Sequence, residues 1–527
     1  MKVGARDRSP ARSARYAWLL LLVGCGASSS AEPAEPRNVA SATNLAGSVT
    51  TDGSAGPAPR REPLAPGAAP PSAEPSAQAA APVRPSVTAV EAYEKILQKP
   101  DSKAPLIGLI RAGQSVPLAK PERLEGPGVG HCKGGWYAVE PRGYVCVGAN
   151  STLDADDPRA VAARATLPDP SRPLPFQSGV GIALGSPQYK RIPTKAEQRA
   201  REPGLDAHLA KLPPSDATVV VDASRAGRGP SKALLRYLET TKLPLVSERD
   251  AYEGRKMAFV DEFDAEGRTF LVTPDRSFVP KDKVRRAKVP QLVGIDLRER
   301  KDLRLPIAYT WIEDTPKLAR RQDGSFVETG ELWPRQSFVG IEGQLVMGKG
   351  GPYWKTSEGA YVRNDLVTLF KKRGGRPAGV GPKDKWIQVR ITWGTLVAYE
   401  GDEPVYVTAI SPGQDGVTER AHGHTTKRGT YSVGWKLISA DMAGVEKTKP
   451  WAVDEVPFVA YYKDSYALHG AWWHDDFGRP KSHGCVNLAP RDAQWLWRWM
   501  EPGLPEGWYA VAAYYPEVKG TTVHITQ

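Results

Sequence analysis

The 527-residue chain predicts a mainly β, multidomain protein, with a disordered N-terminal linker, then small β-barrels, then a β-rich C-terminal domain. Three observations carry this expectation. A chain of this length exceeds what one hydrophobic core supports, so two to four domains are expected. An aromatic strand, a tight turn and a strand pairing an aromatic with Val recur three times, as in barrels that close a small core. Near the C-terminus Ile387, Val389, Ile391 and Trp393 alternate with Gln388, Arg390 and Thr392, the pattern of a strand with one buried face.

Residues 1–25 begin the chain. Lys2, Arg6, Arg8, Arg12 and Arg15 precede the apolar run Tyr16 to Val23, which is far short of the about 20 residues a bilayer-spanning helix needs. The run reads as a signal peptide. Leu22-Val23-Gly24-Cys25 resembles a bacterial lipobox, which implies lipidation at Cys25 and membrane anchoring through that lipid. Gly26 stands where some bacteria use aspartate to retain lipoproteins in the inner membrane. The expectation is an exported lipoprotein facing the periplasm or cell wall, at the outer membrane in a Gram-negative cell. Residues 26–86 are rich in Ala, Pro, Ser and Gly and bury too little apolar surface to fold, so they read as a tether.

Residues 87–155 form a first module: a short helix over Val87 to Gln98, a strand and turn from Pro105 to Gly113, then a hairpin built on Trp136-Tyr137 and Tyr144-Val145. Residues 156–290 are mixed. Thr194 and Glu197 make a capping box, Thr218 to Val221 reads as a strand, and Leu234, Leu235 and Leu238 fall on one face of a helix from Ser231 to Thr240. Gly227 to Lys232 lacks the Gly-Lys-Ser/Thr ending of a phosphate loop and reads as a turn. Phe270 to Thr273 with Arg276 to Pro280 is the second aromatic hairpin, and Tyr353 to Thr356 with Gly359 to Arg363, inside residues 291–370, is the third. These pieces resemble bacterial SH3-like modules. Residues 371–384 are a Gly/Pro/basic linker, and residues 385–527 are the C-terminal domain. There Pro490 to Met500 predicts a helix with Pro490 near its start, Asp492 in the first turn, and Trp495 and Trp499 as core. Glu501 to Lys519 is longer than a helix-to-strand connection needs.

Lys and Arg total 71 against 59 acidic residues, a net charge of +12. The excess is spread without a dense basic-aromatic block, which argues against nucleic acid and suits an anionic wall or membrane surface. Cys132 and Cys146 are close enough to pair in an exported protein; a zinc pair is the alternative, but further ligands at suitable spacing are lacking. His422 and His424 read as loop residues, and neither a metal nor a cofactor is expected. Nothing in the sequence sets the oligomeric state.

The chemistry concentrates in Ser482-His483-Gly484-Cys485-Val486-Asn487 and in Leu468-His469-Gly470 before it. A free thiol with a pKa of about 8.5 needs an imidazole to become nucleophilic at neutral pH. His469 comes from a different segment, as a base must, and two adjoining β segments joined by the excursion Ala471 to Lys481 would bring it to Cys485. His483 would share a strand face with Cys485 if that segment is extended. Gly484 leaves room for backbone N–H groups around an oxyanion.

Together these residues resemble the signature of the L,D-transpeptidase catalytic domain (YkuD type) over about Lys385 to Gln527. The resemblance implies a β-rich enzyme domain that forms a cysteine acyl-enzyme with a peptidoglycan stem peptide and passes the acyl group to an amine. Cys485 would be the nucleophile, His469 the base and Gly470 its orienting carbonyl. His483, Gly484 and Cys485 would line the oxyanion hole. Ser482, Asn487, Trp473 and Tyr461 would meet substrate. Thr426 to Val433 resembles a family strand, with Lys427 and Tyr431 in place of its Pro and Phe. A carboxypeptidase or endopeptidase on the same site, or a non-catalytic wall-binding lipoprotein, are the competing expectations.

Overall fold

A computed structural model describes residues 84–182, 187–212, 232–247, 253–372, 374–418, 423–446, 449–513 and 518–527. The readings placed on Cys25, on residues 26–83, on Thr218 to Val221, on Gly227 to Ser231 and on His422 lie outside the described residues. The described chain is mainly β.

The C-terminal domain is built on a six-stranded sheet, in the order Ile295–Asp296, Glu403–Ala409, Thr395–Glu400, Lys385–Arg390, Thr522–Thr526 and Gly429–Ser432. Its central strand differs from the one-sided expectation. Lys385–Arg390 is buried on both faces, with Ile387 and Val389 in one core and Trp386 in another. The alternation of polar residues misled because Gln388 and Arg390 are buried too, and Trp393 lies beyond the strand, 37 % exposed. Helix Pro490–Trp499 covers the first core through Leu496, Trp497 and Trp499. Asp492 in its first turn does more than meet the helix dipole. It accepts from Gly294 N (2.7 Å) and from the hydroxyls of Tyr406 and Thr408, and burial raises its pKa to about 6.

A twelve-stranded sheet joins the first two modules to this domain. Its spine is the long hairpin Trp435–Glu446 and Lys449–Lys463. On one side Lys463's strand meets Lys256–Phe259 of the second module through Val453 and Lys256, in parallel. On the other, Ala510–Ala512 pairs with Trp435–Glu446 and also with Leu106–Arg111 of the first module. This accounts for the long stretch after the helix: it reaches into the first module, where Trp508 is fully buried beside Ile96 and Ile107. Gly108 is required there, since a Cβ at that position would lie 2.2 Å from the Trp508 ring. Arg111 and Glu455 form a buried ion pair (2.5 Å) across the same junction, with Tyr509 hydroxyl 2.9 Å from the guanidinium.

The helix expected over Val87 to Gln98 is instead two strands, Ser86–Ala89 and Tyr93–Leu97. Tertiary pairing overrides local propensity: the first pairs with Ser115–Pro117 and the second with Leu106–Arg111. The three aromatic hairpins are present at Trp136–Ala138 with Tyr144–Cys146, Arg268–Val272 with Phe278–Pro280, and Gly351–Thr356 with Tyr361–Arg363. Cys132 and Cys146 are disulfide-bonded, with Cα atoms 5.8 Å apart. Closing so short a loop stabilises the first module by about 3 kcal/mol in the chain-entropy model.

The third module is a seven-stranded sheet spanning Ile307–Thr310 to Val367–Phe370. It is not strung loosely on a linker. Ile307, Tyr309 and Phe370 share one core with Trp386, Val397, Tyr399, Val407 and Phe477 of the C-terminal domain.

Candidate active site

Two neighbouring parallel strands position the chemistry. Tyr466–Gly470 pairs with Val486–Leu488 in the register Leu468 with Val486, His469 with Asn487 and Gly470 with Leu488. Side chains alternate along strands, so His469 and Asn487 point to one face of the sheet. Cys485 precedes that second strand and joins Ala467, Trp472 and Val459 in one apolar cluster, against which Tyr461 and Trp473 pack. Trp473 also stacks on the His469 ring, centroids 5.9 Å apart, so one indole meets the imidazole and packs on the cluster that holds Cys485.

Cys485 is 2 % exposed and is the only free cysteine among the described residues. Its thiol donates to Ser465 O at 3.6 Å. His469 Nδ1 lies 3.1 Å from Gly470 O. A carbonyl can only accept, so Nδ1 carries the proton and Nε2 keeps the lone pair of a base. Burial pushes the His469 pKa down to about 4, which leaves the ring neutral at pH 7.

The segment between Ser482 and Cys485 is a turn, which corrects the expectation that His483 shares a strand face with the thiol. Gly484 takes φ +128°, a region that L side chains avoid. His483 lies instead against Trp451 of the long hairpin (4.9 Å, stacked) and His424 (4.7 Å, edge-on). The Gly484 N–H donates to Ser482 Oγ at 3.0 Å, and that hydroxyl donates to Cys485 O at 2.5 Å. Ser482 therefore braces the loop, and the Gly484 N–H is engaged inside it. Thr426 holds the loop from outside: its hydroxyl donates to Gly484 O and accepts from Gly413 N, both at 2.8 Å.

A Cβ on Gly484 would approach Tyr466 Cε1 to 2.8 Å. Gly484→Ala is expected to cost about 2 kcal/mol of stability through strain and overpacking. A denaturant melt beside a turnover assay checks this; an unchanged midpoint with full activity contradicts it.

In the excursion Ala471 to Lys481, Trp472 is core (1 % exposed), while Trp473 and His474 face the site. His474 Nδ1 accepts from Asp476 N (3.3 Å), so its Nε2 bears the proton, and the Asn487 carboxamide lies 3.1 Å from that Nε2. The carboxamide oxygen is the end that accepts it, since turned away it would be buried without a partner. Burial lowers the His474 pKa to about 4 as well.

Sequence reasoning missed Trp451 and Lys256. Lys256 comes from the second module, its ammonium 5.9 Å from the Trp473 ring centre, and burial lowers its pKa. Neither has a local signal; only the pairing of distant strands brings them here.

The class is thus a β-rich domain that carries a neutral imidazole on one strand and a thiol immediately before the parallel strand beside it. Residues 384–525 match the family model of YkuD, the L,D-transpeptidase catalytic domain. That match covers the C-terminal domain and supports a catalytic domain of this type there. No curated protein sequence matches the chain. Similar solved structures include an L,D-transpeptidase from Xylanimonas cellulosilytica (22 % identity, 29 % of this chain and 64 % of that one, TM-score 0.20). The catalytic domain of the E. faecium L,D-transpeptidase is 20 % identical over 27 % of this chain and 98 % of that one (TM-score 0.21). L,D-transpeptidase 3 from Mycobacterium tuberculosis is 16 % identical over 45 % and 95 % (TM-score 0.21). The match therefore spans less than two thirds of the solved Xylanimonas chain.

Proposed function

We propose that the chain is a cysteine-dependent peptidoglycan L,D-transpeptidase. One observation carries the reading: a neutral histidine on one strand, its Nδ1–H tied to Gly470 O, and a buried free thiol just before the parallel strand beside it, with one indole stacked on the histidine and packed on the thiol's cluster. Cys485 Sγ attacks the carbonyl of the third, diamino-acid residue of a donor stem peptide, and His469 Nε2 takes the thiol proton. A C–S bond forms and the C–N bond to the terminal D-Ala breaks. His469 returns the proton to the departing amine. An acceptor amine from a neighbouring stem then attacks the thioester, His469 takes its proton, and the thiol is regenerated.

The N-terminal region fits a lipoprotein anchored at the membrane through Cys25 and facing the wall, with the linker before Val87 as tether. The upstream modules fit SH3-like wall-associated barrels. The test is to incubate residues 84–527 with purified tetrapeptide muropeptides and weigh the products. Cross-linked dimers are expected. Tripeptides alone mean that water is the acceptor and the protein is a carboxypeptidase. No change in mass favours a wall-binding protein without catalysis.

A further inference from the structure

The excursion that carries Trp473 and His474 to the site is held from two sides: within the C-terminal domain Ser411 Oγ donates to Asp476 O and Gly478 N to Ile410 O, each at 2.9 Å, and Lys481 pairs with Asp476 at 2.8 Å. From outside that domain it is gripped as well, by the third module. Asp475, next to His474, accepts from Arg335 Nη1 and Gln336 Nε2, each at 2.8 Å, and Arg335 Nη2 also donates to the Asp475 backbone carbonyl. Two residues on, Phe477 is 1 % exposed and buried in the core that module shares, and its carbonyl lies 3.4 Å from the Tyr309 hydroxyl. Gly478, at φ +95°, passes close to the Tyr309 ring, which a Cβ there would approach to 3.3 Å. The Arg479 guanidinium sits 3.9 Å over the Trp311 ring. Five consecutive excursion residues, 475 to 479, thus include four that meet one face of the third module.

The two residues just before this segment bear on His469 and the strand beside it. Trp473 stacks on His469, and His474 meets Asn487, which is in register with His469. We propose that the third module is a positioning element for catalysis: Arg335 and Gln336, acting through Asp475, hold the excursion so that Trp473 and His474 fix the His469 ring and cover Cys485. The Arg335 and Asp475 side chains are 23 % and 44 % exposed, so this one ion pair alone is a modest contributor. Its leverage comes from placement, two residues from an indole that stacks on His469 and packs on the cluster holding Cys485. This inference rests on the transpeptidase reading for its catalytic consequence, but its geometric part stands without it.

The test uses the chain from residue 84 onward and two readouts. The first is the rate at which iodoacetamide alkylates Cys485, which needs no substrate. The second is turnover of tetrapeptide muropeptides. Asp475→Ala, and separately Arg335→Ala with Gln336→Ala, are expected to raise the alkylation rate and lower kcat, each about tenfold, the factor equivalent to about 1.4 kcal/mol. The combined triple variant is expected to go no further, because both changes release the same contact. The charge-exchanged pair Arg335→Asp with Asp475→Arg recovers part of the loss, which a generally loosened protein would not do. Trp311→Ala, on the independent contact to Arg479, shifts both readouts in the same direction. Alkylation and kcat unchanged in the Arg335/Gln336 variant, or effects that add fully in the triple variant, overturn the proposal. Faster alkylation without any muropeptide turnover, even by the unaltered protein, keeps the clamp and sinks the transpeptidase reading.

Discussion

Replacing Cys485 with alanine is expected to abolish acyl transfer, by about 10⁴-fold or more, because the bond that holds the donor acyl group can no longer form. Among the described residues this is the one free thiol; Cys132 and Cys146 are tied to each other. The measurement is intact-protein mass after brief mixing with a tetrapeptide donor. The unaltered chain should gain the mass of a tripeptide acyl group, and digestion should place it on the peptide containing residue 485. The alanine variant should gain nothing, while its melting curve stays close to that of the parent. An adduct on any other side chain, or residual turnover near the parent rate, would remove Cys485 from the centre of the reaction.

The second large effect concerns His469. His469→Gln keeps the volume and a donor but removes the basic lone pair, and turnover is expected to fall about 10³-fold. The pH dependence gives the sharper check. With its pKa pushed down to about 4 by burial, His469 is neutral above that value and its protonation stops turnover only as pH falls through about 4. A neutral imidazole also means that proton transfer accompanies attack, and that thiolate and imidazolium do not stand ready as an ion pair. Alkylation of Cys485 should therefore rise with pH across the neutral range. A rate that is flat from pH 5 to pH 8 would indicate a standing ion pair instead. Stability follows the same sign. Unfolded histidines take up protons below about pH 6.5, whereas His469 and His474 in the fold wait until about 4. Stability is thus fully present above about pH 6.5 and is lost toward pH 4, by about 3 kcal/mol for each ring.

Much of the site was legible because its parts are local. Ser482 to Asn487 and His469-Gly470 each sit on or beside a short strand, and their residue types state the chemistry directly. The helix after them was legible from Pro490 and its periodic apolar face. What sequence could not give was the partner of each surface. Val87 to Gln98 has the composition of a helix, and only pairing with Leu106–Arg111 makes part of it a strand. Gln388 and Arg390 look solvent-facing until a second layer covers them. His483 looks like a neighbour of Cys485 on an extended chain, but the φ of +128° at Gly484 turns the chain between them. The grip of Arg335 and Gln336 on Asp475 spans some 140 positions and carries no periodic or compositional trace.

The strand Ala510–Ala512 has a consequence for biogenesis. It lies between the hairpin strand Trp435–Glu446 and the first-module strand Leu106–Arg111, so it bridges to a segment made some 400 residues before it. While the ribosome is still translating, Leu106–Arg111 lacks that neighbour and the pocket for Trp508 is vacant. The nascent first module must wait with an open sheet edge through the synthesis of some 400 further residues. Excising residues 384–525 as a minimal unit leaves the same edge uncovered from the other direction, on Ala510–Ala512 itself.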